Sequence, residues 1–276
     1  MLTSISDVLA GLALASGFIA LSWDAILLIL STACLYAGGI VFNDYFDRHI
    51  DRVERPERPI PSGQISPSAA RLFGIVLYLI ALLAAWLVGI IPGLIATTIV
   101  FLATLYDRWM KHSSFGGPVF MGMARAANLL LGVSYSLEAL HELYWIGVIP
   151  LLFIASVTLT SREENRGNNR RSILLAMMLD LVVVVLLILT TFQIGDFPWV
   201  AVALITVWSI MVLSSKRRAY IQNTPENIKN AVKTGVMSLI LMDATYAGMV
   251  PDFPFVVVIL SLWPLSVVLA RKFSVT

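Results

Sequence analysis

Cysteine and histidine are almost missing from this 276-residue chain: there is one Cys, Cys34, and there are three His. A disulfide framework, a cysteine-based zinc site and an iron–sulfur cluster are excluded, and little is left for a histidine metal centre. Charge is equally scarce. Only 13% of residues are Asp, Glu, Lys or Arg, about half of what a soluble globular domain carries. The Asp-Gly-x-x-Ala-Arg element of a phosphatidyl-group transferase is absent, as are a linker, a low-complexity tract and an inverted repeat of the transporter kind. What is abundant is apolar: 58% of the chain is hydrophobic, enough for about eight crossings at roughly 20 residues each. A polytopic membrane protein follows from composition alone. The net charge of +2 gives no reason to expect a nucleic-acid partner; the bilayer is the partner implied.

The charges fall in clusters between long uncharged runs of membrane length. Candidate spans lie near 3–22, 25–43, 68–90, 93–108, 117–138, 143–161, 172–193, 197–214, 226–249 and 253–270. The segment 226–249 contains Lys229, Lys233 and Asp243, so it is expected to start as an interfacial helix and cross only in its second half. Alternating the connections between two sides sorts the basic residues. One side collects Arg48, Arg52, Arg55 and Arg58, then Arg108 and Lys111, then Arg162, Arg166, Arg170 and Arg171, then Lys216, Arg217 and Arg218, and finally Arg271 and Lys272. The other side has Asp24, Glu138, Glu142, Asp196 and Asp252. The positive-inside rule assigns the basic side to the cytoplasm or its organellar equivalent, with both termini there. The first apolar stretch begins near Met1 without a basic leader, and so reads as a retained span. The fold expected is an all-α polytopic helical bundle of nine to ten transmembrane helices, forming a single domain over 1–276.

The richest stretch is Asn43-Asp44-Tyr-Phe-Asp47-Arg-His-Ile-Asp51, at the basic end of the second span. Asp44, Asp47 and Asp51 are spaced by three and four residues and share one helix face with Asn43 beside them. Carboxylates that close repel unless a cation sits among them. Mg2+ suits the donor set, because it takes oxygen ligands from one or two carboxylates and completes its shell with water and phosphate oxygens. The plainer alternative is a solvated loop whose acids are neutralised by local pairs such as Asp44 with Arg48 and Asp51 with Arg55. The continuation Arg55-Pro56-Glu57-Arg58-Pro59-Ile60-Pro61-Ser62-Gly63 stiffens the backbone around two arginines suited to phosphate contact.

The pair of motifs, Asn43 to Asp51 and Arg58 to Gly63, resembles the UbiA superfamily of intramembrane prenyltransferases. The resemblance implies a membrane prenyltransferase that uses Mg2+ to ionise a polyprenyl diphosphate donor and passes the chain to an aromatic or other small acceptor. Asp44, Asp47 and Asp51 would be catalytic and hold the metal, with Asn43, Arg58, Tyr106 and Lys111 on the donor diphosphate. Arg125 and Asn128, three apart on one face of the fifth span, would face the interior and bind substrate. The site would lie in the cytoplasmic-side loops 44–67 and 161–171 of a multi-pass protein in a plasma (inner) or organellar membrane.

Two departures stand out. Where the family has its second aspartate motif, this chain has Ser161-Arg162-Glu163-Glu164-Asn165-Arg166-Gly167, resembling a divergent branch; Glu163 and Glu164 remain as metal ligands and Arg162 and Arg166 as diphosphate contacts. The family's Arg-Pro-x-Asn segment ahead of the first span has no counterpart, which leaves one polar contributor to the acceptor pocket unmatched. The alternative function is a non-catalytic isoprenoid-lipid binding protein or transporter on the same bundle. Asp7 and Asp180, near basic-side ends, would reach the interface, while Asp243 is the deepest acid.

Overall fold

The computed structural model describes residues 1–16, 22–111, 113, 115–162, 169–195, 198–251 and 253–273. Among them every regular element is helical. In chain order these are α1 (Leu2–Ser16), α2 (Trp23–Glu54), α3 (Pro67–Val88), α4 (Ile90–Leu105), α5 (Gly116–Val133), α6 (Leu137–Leu143), α7 (Val148–Thr160), α8 (Arg170–Ile194), α9 (Pro198–Ile221), α10 (Pro225–Ala247) and α11 (Phe253–Phe273). A π-helical turn, Tyr106–Met110, continues α4.

The boundaries follow from local chemistry. Ser22, Ser66, Ser136 and Thr224 each accept a hydrogen bond from the backbone N–H three residues on, satisfying a donor that the first helical turn leaves orphaned. Pro67 and Pro225 follow two of these caps at the first helical position, where the missing N–H costs nothing. Between α3 and α4 only Gly89 intervenes, as the Gly-Ile-Ile-Pro-Gly turn implies. A side chain at Gly93 would strike the Trp86 indole, so this hairpin closes only around a glycine.

The bundle is the polytopic membrane protein that composition demands. The helical stretches 23–54, 67–88, 90–110, 137–160, 170–194 and 199–221 are each long and apolar enough to cross a membrane, and α1 and the segment 254–268 are shorter apolar helices. Leu72, Leu79, Leu83, Leu87, Val185 and Leu189 point outward and are exposed, as a lipid-facing surface requires. The segment 226–249 has Lys229 and Lys233 exposed in its first half and Asp243 buried in its second. It is one continuous helix, α10, packed against α1, α7, α9 and α11, and Ser238 to Ala247 are all buried. Asp243 is tolerated because protein, not lipid, surrounds that second half.

Four loops gather at one end of the bundle. The end of α2 meets the π turn after α4 through Asn43–Asp107 and Asp47–Lys111. Asn169, ahead of α8, meets the α9–α10 loop at Asn223: its backbone N–H donates to Asn223 Oδ1 and its Oδ1 accepts from the Asn223 amide, each at 3.1 Å. Packing of α5 on α4 and on α7 joins the two pairs.

Candidate active site

The carboxylates at this end stand on an unbroken helix. Because α2 runs on through Glu54, Asp44, Asp47 and Asp51 keep the helical face that their spacing implies. Arg58 reaches back over that face. Its Nη1 donates to Asp44 Oδ1 at 2.8 Å and to Asp51 Oδ2 at 2.9 Å, so one guanidinium edge bridges two acids. The local pairs with Arg48 and Arg55 do not form; Arg48 instead lies over the Tyr45 ring at 4.6 Å and donates to the Tyr45 carbonyl. The loop that delivers Arg58 is held by backbone hydrogen bonds from Ser62 to Arg58 and from Ile65 to Pro59. It turns at Gly63, whose φ of 79° lies in the left-handed region that only glycine adopts without cost.

The π turn supplies the opposite wall. One extra residue per turn re-aims side chains, a device common at functional sites. Here it sends Asp107 to the Asn43 amide, at 3.1 Å, and ends at Lys111, which pairs with Asp47. Asp107 is a site residue that the motif search missed. It is 5% exposed and sits 64 positions from its partner; the signal available was a lone acid next to Tyr106 at the end of a span.

A cavity of about 450 Å³ opens beside these groups, within the usual range for a ligand site. Asn43, Asp44, Arg58, Tyr106 and Asp107 line one end, and Thr3, Ser4, Thr32, Arg125 and Asn128 line the other. Leu35, Ile40, Ile99, Ile154, Val236 and Leu239 lie between them. Thr32 and Asn43 both belong to α2, so the two polar ends are about 16 Å apart along that helix. Thr3 and Ser4 supply polar lining from α1, where the resemblance left a contributor unmatched.

The inner end is a dense polar network. Arg125 Nε lies 2.8 Å from Asp7 Oδ2, and its Nη2 lies 4.0 Å from Asp243 Oδ2 and donates to the Thr3 carbonyl at 2.5 Å. Asn128 donates to Asp7 Oδ2 and to the Ser4 carbonyl, and accepts from Thr32. Ser6 donates to Asp243. Asp7 therefore does not reach the interface; it sits at the depth of Asp243, fully buried. Asp180 is corrected likewise. It is fully buried and held by Lys216 Nζ at 2.7 Å, with Ser156 Oγ 2.6 Å from the same nitrogen. Lys216, counted with Arg217 and Arg218 among the anchoring charges, faces inward.

The other expected site residues divide. Asn43, Asp44, Arg58, Tyr106, Arg125 and Asn128 line the cavity, whereas Asp47, Asp51 and Lys111 stand in the surrounding ion pairs. Arg162 is not among the lining residues; its carbonyl accepts from the Asn169 amide at 2.6 Å. Glu163, Glu164 and Arg166 lie outside the described residues.

This order of elements and motifs is found in known proteins. A model of the UbiA prenyltransferase family matches residues 5–239. The chain belongs to that family. A digeranylgeranylglyceryl phosphate synthase of Sulfurisphaera tokodaii is 32% identical over 159 residues, 57% of this chain and 56% of its own. The chain thus spans about half the length of the curated relatives it matches. The fold is shared with an apo UbiA homolog of Aeropyrum pernix, TM-score 0.72 at 17% identity, covering 88% of this chain and 95% of that one. A UbiA homolog of Archaeoglobus fulgidus bound to GPP and Mg2+ has TM-score 0.63 at 15% identity, covering 89% and 95%.

Among the described residues no three acidic, histidine or cysteine side chains form a group that could hold a metal ion unaided. Asp44 and Asp51 face Arg58, and Asp47 faces Lys111. The donor chemistry still fits Mg2+, which needs only one or two carboxylates when phosphate oxygens complete its shell. Two cationic nitrogens already sit among these oxygens, so the pocket is built around positive charge.

Proposed function

We propose that the chain is a membrane prenyltransferase acting on a prenyl diphosphate, with a glyceryl phosphate as acceptor in place of an aromatic one. The observation that carries this reading is the cavity itself, an apolar passage with acids and an arginine at one end and a part-buried, ion-paired arginine at the other. An amphiphile with an anionic head fits the first end, and its allylic tail fits the Leu35, Ile99 and Ile154 walls. Arg58 and Lys111, released from their acids as the diphosphate and its metal enter, are placed to take phosphate oxygens. Asp44, with Asp51 and Asp47 beside it, would hold Mg2+, whose charge offsets the negative charge gathering on the diphosphate as the allylic C–O bond breaks. Asn43 and Asp107 orient that end, and the apolar walls exclude water from the resulting cation.

The acceptor is assigned from Arg125. It is the charged donor at the inner polar end, and a phosphate-bearing acceptor gives it an anionic partner besides Asp7 and Asp243. The named activity of the Sulfurisphaera relative supports a glyceryl phosphate there. The whole chain, 1–276, is read as one transmembrane catalytic domain, with loops 44–67 and 161–171 on the cytoplasmic face of its membrane.

The test is to incubate purified protein in detergent with Mg2+, labelled prenyl diphosphates of several lengths, and either a prenylated glyceryl phosphate or 4-hydroxybenzoate. Labelled ether product with the glyceryl phosphate, lost in Asp44→Ala and Asp47→Ala, is expected. Diphosphate release that persists unchanged in both variants overturns the catalytic assignment. Tight donor binding without turnover identifies a lipid-binding protein instead.

A further inference from the structure

A second cavity, of about 660 Å³, lies between α9, α10 and α11 and shares no lining residue with the reaction cavity. We propose that it binds an anionic phospholipid of the surrounding bilayer, headgroup toward the loop end and chains toward the membrane centre.

The lining is graded along α9 and α10. On α9, which runs toward the loop end, Met211 is followed by Ser214, Ser215 and Arg218. On α10, which runs away from it, Asn227, Asn230, Lys233 and Thr234 come before Met237. Trp263 and Val267 close the side along α11. On these two helices polar lining therefore collects toward the loop end and methionine lies deeper, with α11 adding an apolar wall, the profile of a single amphiphile and not of a soluble anion. Arg218 and Lys233 approach from different helices, no Asp or Glu lines the cavity, and neither cation makes an ion pair among the described residues. Basic pockets between helices at the cytoplasmic level attract anionic headgroups, because leaflet charge and fixed cations add, and the amides and hydroxyls complete phosphate contacts.

The site does not depend on the reaction. Trp263 and Val267 lie beyond the stretch matched by the family model, 5–239, so the cavity is partly built by a helix outside it. It does border the reaction cavity through α10, which presents Val236 and Leu239 to one and Lys233, Thr234 and Met237 to the other.

The experiment measures lipid retention by native mass spectrometry on the full chain in detergent, titrated with phosphatidylglycerol or phosphatidylcholine, with and without inorganic phosphate. Phosphatidylglycerol is expected to bind at least about tenfold more tightly. Arg218→Gln and Lys233→Gln should each weaken it about fivefold and the double variant about 25-fold. Both side chains are exposed, so folding is preserved. Arg217→Gln, at a position outside the lining, should leave the preference intact. Equal retention of the two lipids, or a preference that survives the double variant, overturns the proposal. Displacement by millimolar inorganic phosphate would show that the cavity reads phosphate alone and would overturn the lipid assignment.

Discussion

Arg58 is bound to two acids fourteen and seven positions before it, and that double contact makes it more than a counter-charge. Both contacts are made by the single Nη1, which leaves Nη2 and Nε for a planar, bidentate contact with phosphate that a lysine cannot reproduce. Arg58→Lys should therefore lower kcat/KM about tenfold and Arg58→Ala about 100-fold or more, measured by product formation at saturating Mg2+. Equal activity of the lysine variant would show that charge alone suffices. Asn43 acts through another residue. Its amide fixes Asp107, and loss of such an outer contact commonly weakens metal affinity 10–100-fold. Asn43→Ala should move the half-saturating Mg2+ concentration upward by about that factor while the donor KM, taken at saturating metal, changes little. An unchanged Mg2+ titration would remove the Asn43–Asp107 pair from the metal's surroundings. The first of these residues was legible in the sequence and the second was not. Asn43 to Asp51 announce themselves because their spacing is that of one helix face, a local property. Asp107 joins them only through a contact 64 positions distant, re-aimed by a π turn that apolar periodicity does not encode.

Helices α7, α8 and α9 are tied together by one buried cluster, Ser156, Asp180 and Lys216. Asp180 and Lys216 are both 0% exposed. Removing one partner leaves the other charged and unpaired in a low-dielectric interior, a loss of about 3–5 kcal/mol, whereas replacing both by apolar residues is often tolerated. Lys216→Met should unfold at a markedly lower temperature in detergent, and Lys216→Met with Asp180→Leu should recover much of the loss. A double variant no better than the single one would mean that the pair is not coupled. This cluster was hidden by composition. Lys216, Arg217 and Arg218 form one basic run, yet three consecutive helical residues point in three directions, and only the first turns inward. The α1–α5 crossing is similarly invisible in a hydropathy profile. Gly11 and Gly132 meet there, and a Cβ built on Gly132 would strike the Val8 carbonyl and come within 3.0 Å of the Gly11 Cα. Close backbone approach of this kind depends on small residues. Gly132→Val should displace α1, carrying Thr3, Ser4 and Asp7 from the inner polar end, and so impair acceptor use more than donor binding.

The whole molecule is polarised along the bundle axis. The motif helix, the π turn and the loops after α7 and α9 come together at one end through Asp47–Lys111, Asn43–Asp107 and Asn169–Asn223. Among the described residues that end also carries Arg48, Arg52, Arg55, Arg58, Arg108, Lys111, Arg162, Arg170, Arg217 and Arg218, the side on which charge counting collects them. The agreement has a physical basis: each crossing must be long and apolar, so its length and the charges at its ends survive in the sequence even when interior contacts do not. Orientation in the membrane can then be read from a pair of exposed positions at opposite ends, Ser62 in the loop after α2 and Glu138 at the start of α6. The single native thiol, Cys34, is first removed as Cys34→Ser. In intact cells an impermeant maleimide should label Glu138→Cys at once and reach Ser62→Cys only after the membrane is opened. The reverse pattern would place the acidic ends in the cytoplasm, against the gradient of basic residues. Labelling of both in intact cells would put the two positions on one side, against the three crossings, α3, α4 and α5, that the alternation of charge leads us to expect between them.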